Sequence, residues 1–255
     1  TRRLIRTMIG VVMPGESDNL SDLIFSNLQL SKGPKVVVIG GGTGLSVMLR
    51  GLKAKTYNLT AVVTVADDGG STGRIRQDLD IIAPGDLRNC LVALADKEGL
   101  MEKLFAHRFG GSGNLTGHSF GNLFIAALIE VLGDVEEAMD ATSKVLRVRG
   151  KVIPSSAEKL RLNAEMTDGR IVEGESQIPH AHGKIKRVFT TPEHPRAIQS
   201  AVDAIREADA IVLGPGSLYT SIMPNLCVPD IVQAVRTSKA PKIYICNVMT
   251  QPGET

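Results

Sequence analysis

The sequence is poor in aromatic residues, with no Trp, three Tyr and six Phe among 255 residues. Its hydrophobic core must therefore consist mainly of aliphatic side chains. Hydrophobic residues make up 43% of the chain and charged residues 22%, which excludes general disorder and the collagen and coiled-coil classes. The length suffices for a substantial core and fits one large α/β domain as well as two smaller ones.

Neither sign of charge dominates, and cysteine is scarce. The 29 Lys and Arg residues against 27 Asp and Glu leave a net charge of +2, without a basic stretch interleaved with aromatics, which excludes a nucleic-acid partner. Cys90, Cys227 and Cys246 lie far apart and form no CxxC motif, which argues against disulfides or a zinc knuckle and favours the cytoplasm. Apolar runs such as residues 123–129 are shorter than the ~20 residues that cross a bilayer.

The chain begins with a basic segment. Arg2, Arg3 and Arg6 stand among apolar residues, which fits a short amphipathic helix at a membrane surface or, as we prefer, a helix packed on the domain. We predict an N-terminal helical extension over residues 1–33 and one domain over residues 34–255. Membrane association is expected only if a further segment precedes residue 1.

Strands and helices alternate from residue 35 onward. Aliphatic strands are predicted at residues 35–39, 59–65 and 210–213, each followed by a glycine-rich turn. Apolar residues spaced by three and four predict that residues 86–149 are almost wholly helical. This order predicts an α/β fold with a doubly wound, mostly parallel sheet and a helical insertion.

The segment 151–195 has a different pattern. Short alternating stretches flank residues 167–169, whose Thr-Asp-Gly sequence predicts a hairpin turn. We expect this segment to form a small antiparallel extension of the sheet. A helix over residues 230–238 and a strand over residues 242–247 then complete a further αβ unit.

The strongest local signal is the glycine run at residues 40–44, directly after a strand. Glycines allow a sharp turn and expose amide groups at the positive end of the next helix, where a phosphate can bind. The run is not a P-loop, and it lacks the last glycine of GxGxxG because Leu45 stands there. A tight turn without a ligand is the alternative, but we favour phosphate binding by the segment Gly41, Gly42, Thr43, Gly44 and Leu45.

A second polar turn, residues 67–73, follows the next strand. Asp67 and Asp68 could hold Mg²⁺ or accept hydrogen bonds from a ribose or base, and we expect Arg74 and Arg76 to pair with them. The hydroxyls of two further residues of this turn, Ser71 and Thr72, could donate to an anion. An Asx-type turn explains one of the carboxylates but not the whole run.

Three further segments are expected at the same edge of the sheet. Asp86 is predicted to cap a helix whose first turn presents Arg88 and Asn89 to a ligand, while Cys90 packs as a small hydrophobic residue. His118 is predicted to begin another helix. Its side chain could act as a general acid or base, donate a hydrogen bond to a phosphate, or bond to the backbone. The remaining candidates for ligand binding are Ser119, Asn122, Gly214, Gly216 and Ser217.

The chain resembles the 2-phospho-L-lactate transferase-like family, and within it the bacterial gluconeogenesis-factor branch. The match extends over residues 35–255 and runs in family order through six motifs: GGGTGLS, ADDGGSTGRIR, PGDLRNC, GHSFGN, GPGSLYTS and CNVMTQPGET. The resemblance implies a Rossmann-like fold in the cytoplasm. The family continues for several dozen residues, so we expect the C-terminal part of its domain to be missing here.

The two branches imply different activities. The transferase branch moves a phospholactyl group from a guanosine diphosphate conjugate to a deazaflavin with Mg²⁺, and Asp67 and Asp68 match its paired acids. Asp86, Arg88 and Asn89 match its acidic and arginine motif. The bacterial branch is associated with growth on gluconeogenic carbon sources, cell shape, peptidoglycan synthesis and binding of UDP-N-acetylglucosamine. The turns read GGGTGLS and GGSTGRIR, as in that branch, which makes deazaflavin transfer doubtful.

We therefore consider three functional hypotheses and rank two of them above the third. In the first, the chain is a regulator that binds a nucleotide sugar without turnover, forms a homo-oligomer and acts on cell-wall synthesis proteins. In the second, it is a transferase in which Asp67 and Asp68 hold Mg²⁺ and, with Arg88, stabilise the charge of a leaving nucleotide. An NAD-dependent dehydrogenase ranks last because the dinucleotide fingerprint is incomplete.

Overall fold

The computed structural model describes residues 17–96 and 99–251, with side chains from Ile24 onward. Its α-helices are α1 (Ser17–Ser31), α2 (Gly42–Leu52), α3 (Gly70–Leu79), α4 (Gly85–Leu94), α5 (Gly99–Ala106), α6 (Phe120–Leu132), α7 (Val135–Val145), α8 (Gln199–Arg206), α9 (Met223–Leu226) and α10 (Pro229–Thr237). Its strands are β1 (Val36–Gly40), β2 (Leu59–Val63), β3 (Lys151–Pro154), β4 (Arg161–Met166), β5 (Ile171–Glu173), β6 (Ile185–Thr191), β7 (Ala210–Leu213) and β8 (Lys242–Tyr244). The basic residues 2–6 lie outside the described residues.

A five-stranded parallel sheet forms the centre of the fold, in the order β3-β2-β1-β7-β8. Every residue of β1 is buried, which explains its uninterrupted aliphatic sequence, because parallel strands are covered on both faces. The strand order reverses between β1 and β7, so the chain has a topological switch point there. The predicted Rossmann-like, doubly wound fold is confirmed.

The helical insertion runs from α3 to α7, between β2 and β3. The prediction that residues 86–149 are almost wholly helical is confirmed for α4, α5, α6 and α7, but residues 107–119 between α5 and α6 form no helix. The few aromatic residues concentrate here: the Phe105 ring lies 5.8 Å from the Phe120 ring and 5.0 Å from the Phe124 ring. No helix among the described residues is both long and apolar enough to cross a membrane.

The segment 151–195 contributes to two sheets, not one. The hairpin predicted around residues 167–169 is confirmed by antiparallel pairing of β4 with β5, and β6 adds a third strand on the other side of β4. Residues of β3, however, join the parallel sheet beside β2, so the prediction that the whole segment is antiparallel is wrong. Four residues are too few to show whether a strand alternates or is buried on both faces.

The two edges of the parallel sheet carry different structures. The turns that follow β1, β2 and β7 lie at the C-terminal edge, together with the N-termini of α2 and α3. Helix α1 contacts the opposite edge, where the Tyr57 hydroxyl donates to Asn27 Oδ1 at 2.6 Å and the Tyr57 amide donates to the Leu30 carbonyl at 3.0 Å. Candidate ligand-binding residues are therefore confined to one edge.

Candidate functional site

Two glycine turns contact each other at the switch point of the sheet. Residues 40–44 follow β1 and residues 214–217 follow β7. A Cβ atom at Gly44 would lie 3.1 Å from the Pro215 carbonyl oxygen, and one at Gly216 would lie 3.3 Å from the Gly41 carbonyl oxygen. The turns border one space, the strand-end crevice, which is the position where open α/β sheets bind ligands.

The N-terminus of α2 faces a carboxylate of another helix. Gly41 offers no side chain to cap α2, and Gly42 adopts a φ of +71°, which favours glycine. The Gly42 N–H donates instead to the carboxylate of Asp86. Thr43 is exposed, whereas the Leu45 side chain is fully buried in the core, so only the main chain of Leu45 remains for the predicted ligand contact.

Two half-buried carboxylates, those of Asp67 and Asp86, repel each other in the strand-end crevice. A Cβ atom at Gly85 would lie 2.9 Å from Asp67 Oδ2. Burial, and after it the negative charge of Asp67, raises the pKa of Asp86 to about 6. Burial also raises the pKa of Asp67, although hydrogen bonds from Gly69 and Thr72 lower it. A divalent cation between the two carboxylates would relieve their repulsion.

Asp68 connects the strand-end crevice to the antiparallel sheet. Its Oδ1 accepts a hydrogen bond of 2.8 Å from the Ser176 N–H, and a Cβ atom at Gly174 would lie 2.5 Å from its Oδ2. The carboxylate of Asp68 is therefore engaged by the segment after β5. The negative charge of Asp68 nevertheless raises the pKa of Asp67, whereas the charge of Asp67 raises that of Asp86.

Among the described residues, neither Arg74 nor Arg76 forms a salt bridge with Asp67 or Asp68, although the charges of both carboxylates act on Arg76. Arg76 donates to the carbonyl oxygens of Asp67 at 2.9 Å and Leu160 at 2.7 Å. Arg74 donates to the Thr116 carbonyl oxygen at 2.8 Å. Both arginines thus tie the polar turn to neighbouring loops, because backbone carbonyls without helix or sheet partners need donors.

Asp86 does not cap α4, contrary to the sequence prediction. The helix begins at Gly85 with Pro84 at the N-cap position, and the Asp86 side chain crosses to the Gly42 amide. The reason is tertiary: the N-termini of α2 and α4 meet at one edge of the sheet. A carboxylate on one helix can therefore satisfy a free amide of the other, which no local sequence pattern reveals.

Asn89 connects Asp86 to Arg88. The Asn89 side chain forms a hydrogen bond with the Asp86 carboxylate, and its Oδ1 accepts one of 2.6 Å from Arg88 Nη2. Arg88 is only 8% exposed, and its Cδ would lie 2.8 Å from a Cβ atom at Gly121. Arg88 and Asn89 both line a small cavity between α2 and α4, beside the strand-end crevice. The adjacent Cys90 is fully buried, as predicted.

His118, just before α6, and Asn122, in α6, form hydrogen bonds with the hydroxyl of Ser71. His118 Nδ1 lies 3.2 Å from Ser71 Oγ, and Asn122 Nδ2 donates to the same oxygen at 3.5 Å. Burial, and then the positive charge of Arg74, lowers the pKa of His118, so its imidazole is neutral at pH 7. Ser119 caps α6 by accepting from the Asn122 N–H at 3.2 Å. Asn122 Oδ1 is buried without a partner among the described residues.

Sequence reasoning missed two buried polar residues at this edge. Asn225 Nδ2 donates to the carbonyl oxygens of Gly40 at 3.1 Å and Ser221 at 2.9 Å, which fixes the end of β1. Ser155 follows β3, and its amide donates to the Val63 carbonyl at 2.8 Å. Within the described residues, Asn225 Oδ1 and Ser155 Oγ have no hydrogen-bond partner. Neither residue lies in a recognisable motif.

The structure thus brings the predicted residues to one edge of the sheet, in two connected groups. Asp67, Ser71 and Asp86 lie at the strand-end crevice, whereas Arg88 and Asn89 border the neighbouring cavity. In the parts of the chain that the structure covers, no three His, Cys, Asp or Glu side chains could hold a metal together. Such a site is still compatible with Mg²⁺, because proteins commonly bind Mg²⁺ through one or two carboxylates while water and ligand phosphates provide its other ligands.

Comparison with known proteins identifies the relatives of this chain. The family model of 2-phospho-L-lactate transferase CofD matches residues 36–255. A protein of Bacillus subtilis named "Gluconeogenesis factor" is 59% identical over 222 residues, which are 87% of this chain and 70% of that protein. A relative from Nostoc sp. is 55% identical over 253 residues, which are 99% of this chain. The chain spans only 56% of the length of the Nostoc relative.

A solved structure has the same fold. The crystal structure of a protein from Bacillus halodurans superposes with a TM-score of 0.86 and 57% sequence identity. The superposition covers 88% of this chain and 72% of that protein.

Proposed function

The chain belongs to the 2-phospho-L-lactate transferase CofD family, and from this membership we propose that it binds a nucleotide sugar of the UDP-N-acetylglucosamine type as a regulator. In this proposal the fraction of the chain that holds ligand follows the supply of nucleotide sugar. The ligand-bound chain then acts on proteins of cell-wall synthesis and of gluconeogenic carbon use. The relatives named gluconeogenesis factor support the second part of the proposal.

The contact between the two glycine turns is the observation that carries the proposal. A diphosphate needs main-chain donors that no side chain obstructs, and the glycine-rich residues 40–44 and 214–217 lie against each other at the switch point, where open α/β sheets bind such ligands. The neutral imidazole of His118 and the hydroxyl of Ser71 share one hydrogen bond and therefore offer one further donor between them at the side of α3. The ligand phosphates would lie beside the carboxylates of Asp67 and Asp86, so a cation is expected to accompany them.

Calorimetric titration with UDP-N-acetylglucosamine tests the proposal. We expect saturable binding to the unmodified chain and at least about tenfold weaker binding to Gly42→Ala, because the added methyl group enters the space between the turns. A Cβ atom at Gly42 would lie 3.4 Å from Ser221 Oγ, an ordinary contact, so the variant should fold despite its positive φ. Gly51→Ala, in the same helix with no atom within 4 Å of the new Cβ, is the matched control.

The half-buried pair of Asp67 and Asp86 favours a second candidate function, a Mg²⁺-dependent transferase of a phospho-linked group. The two carboxylates would hold the cation, which would supply charge neutralisation to a departing nucleotide diphosphate. The remaining residues would bind and orient the ligand through the amides of both glycine turns. Our sequence prediction placed the cation at Asp67 and Asp68; because Asp68 is bonded to the Ser176 amide, we now propose Asp67 and Asp86.

Product analysis separates the two functions. If the chain is a regulator, mass spectrometry finds the nucleotide sugar intact after incubation with Mg²⁺, and Asp67→Asn changes affinity only. Consumption of the nucleotide sugar that depends on Mg²⁺ and is lost in Asp67→Asn would establish the transferase instead. Equal affinity of Gly42→Ala, Gly51→Ala and the unmodified chain would place the ligand away from the strand-end crevice.

A further inference from the structure

The cavity between α2 and α4 is lined by positive charge. Its volume is about 140 Å³, and its polar lining consists of Ser46, Arg50, Arg88, Asn89 and Arg108. Among the described residues, no carboxylate lines it. We name it the arginine cavity. Three guanidinium groups around one small space repel each other unless an anion lies between them.

Arg88 is the one of the three arginines that is shielded from water, and the charges of Asp86 and Asp67 offset only part of the cost of its burial. A guanidinium group carries five N–H donors, and among the described residues Arg88 donates one hydrogen bond, to Asn89. Burial, and after it the positive charge of Arg108, lowers the pKa of Arg88. A buried charge without a direct counter-charge is costly, and in proteins such groups are normally paired. The side chain is nevertheless only 8% exposed.

Arg50 and Arg108 extend from the rim of the arginine cavity. Both are exposed, on α2 and on the loop after α5 respectively. Arg108 Nη1 donates to the Gly117 carbonyl oxygen at 3.0 Å, which leaves its other N–H groups for a ligand. The Ser46 hydroxyl donates to the Thr43 carbonyl oxygen at 2.8 Å and therefore offers lone pairs, not a proton, to the cavity. The selectivity of the site thus comes from guanidinium groups.

We propose that the arginine cavity binds a phosphate-type oxyanion, held between Arg50, Arg88 and Arg108. Guanidinium groups bind phosphate through paired, charge-assisted hydrogen bonds, and three of them favour a doubly charged group over a carboxylate. The cavity has room for about five heavy atoms, judged from the ~30 Å³ that one water molecule occupies in the liquid. This inference does not depend on nucleotide-sugar binding in the strand-end crevice.

The arginine cavity is separate from the strand-end crevice but connected to it. Ser46 lies four residues after Gly42 on α2, and Asn89 lies three after Asp86 on α4. At 1.5 Å per residue these positions are about 5 to 6 Å further along the helices. The anion is therefore either a second acidic group of the crevice ligand or an independent phosphorylated effector, and both have the same chemistry.

Titration with inorganic phosphate tests the inference residue by residue. In the ¹⁵N-labelled chain, the Nε–H resonances of Arg50, Arg88 and Arg108 should shift with one common dissociation constant at constant ionic strength. The Nε–H of Arg236, an exposed arginine on α10 outside the cavity, should not shift. Uniform small shifts of all arginines would indicate non-specific screening and overturn the proposal.

Substitution of the exposed arginines avoids any dependence on folding of an Arg88 variant. We expect Arg50→Gln and Arg108→Gln each to weaken phosphate binding about tenfold, and the double variant about a hundredfold, because each removes charge-assisted hydrogen bonds. Arg236→Gln is the control with the same change of charge. If Gly42→Ala abolishes phosphate binding while both arginine variants retain it, phosphate binds at the glycine turn and the proposal is wrong.

Competition identifies the source of the anion. In a chain saturated with UDP-N-acetylglucosamine, unchanged phosphate affinity supports the arginine cavity as the site of a separate effector. Loss of phosphate binding there, together with weaker nucleotide-sugar binding in Arg108→Gln, supports a subsite for the same ligand. Absence of phosphate binding to the unmodified chain at millimolar concentration would overturn the inference and leave the proposed function unaffected, since that function is measured with the nucleotide sugar.

Discussion

The two edges of the parallel sheet differ in how their polar groups are satisfied. At the N-terminal edge a cavity of about 650 Å³ is lined by residues that include Lys35, Asn58 and Glu207. Lys35 Nζ lies 2.8 Å from Glu207 Oε2, and Asn58 Nδ2 donates to the Gly33 carbonyl oxygen at 2.6 Å. Space is large at this edge, but these polar groups already have partners within the chain.

At the C-terminal edge the arginine cavity has a volume of only about 140 Å³, but more buried polar groups lack partners among the described residues. Asp67 and Asp86 repel each other, and the buried oxygens of Asn122 and Asn225 lack partners among the described residues. Leaving buried polar groups unpaired costs free energy, so such a cluster persists where a ligand completes it. The comparison teaches that the volume of a cavity is a weaker guide to a binding site than the pairing of the groups around it.

Overpacking the C-terminal edge should give the largest loss of stability. A Cβ atom at Gly41 would lie 2.6 Å from Thr64 Cγ2 and 2.7 Å from Asp86 Oδ2, both on side chains that cannot move freely. We expect Gly41→Ala to lower the free energy of unfolding by about 3 kcal/mol, as overpacked cores do. Urea unfolding followed by circular dichroism measures this change.

Gly51→Ala is the matched control for that experiment. Gly51 lies in the same helix, and its new Cβ would have no atom within 4 Å. Because alanine is the better helix former, we expect a gain of about 0.5 to 1 kcal/mol. Similar changes in both variants would mean that the packing of Asp86 against the α2 N-terminus is not tight, contrary to our description.

The repulsion between the carboxylates should appear as a pH-dependent stability. The pKa of Asp86 is raised to about 6, above the ordinary value of 3.8, so between about pH 4 and 6 the chain takes up a proton on folding and loses stability as the pH rises through that range. Asp86→Asn removes this loss. A shift of this size corresponds to about 3 kcal/mol, and the weaker hydrogen bond from the Gly42 amide leaves a net gain of about 2 kcal/mol.

The test compares unfolding of Asp86→Asn and the unmodified chain at pH 4 and pH 7.5 in metal-free buffer with a chelator. We expect equal stability at the lower pH and a more stable variant at the higher pH, with the difference developing between about pH 4 and 6. A smaller slope should remain in the variant, because burial also raises the pKa of Asp67. Parallel pH profiles would show that Asp86 is not the group in question.

The pattern of the sequence predicted the fold well because short-range signals suffice for it. Aliphatic runs followed by glycine turns identified β1, β2 and β7, and apolar spacing identified the insertion helices. The assignment of β3 failed, because which sheet a four-residue strand joins depends on its neighbours and not on its own sequence.

Side-chain partners could be predicted only in part. The sequence placed Asp67, Asp86 and His118 at one edge, yet the capping role of Asp86 was wrong, and Arg74 and Arg76 form their direct hydrogen bonds with carbonyl oxygens and not with the carboxylates. These partners are set by the distance between helices that are remote in sequence. Ligand binding by these residues stays a prediction, which the experiments above test.

The smallest effect is expected at the N-terminal edge, and it decides which edge binds the ligand. Glu207→Gln removes the negative charge that, through a hydrogen bond, raises the pKa of Lys35. Because this pair is exposed, with 56% and 66% of the two side chains accessible, water and salt screen it, and the unfolding midpoint should not change measurably.

The affinity of Glu207→Gln for UDP-N-acetylglucosamine should stay within about twofold of that of the unmodified chain, since a charge at this edge is more than a Debye length of about 8 Å from the opposite edge. Asp86→Asn, the same change from carboxylate to amide at the other edge, should alter that affinity. If Glu207→Gln weakens binding as much as Gly42→Ala does, the larger cavity holds the ligand after all, and the satisfaction of polar groups is not the property that distinguishes the two edges.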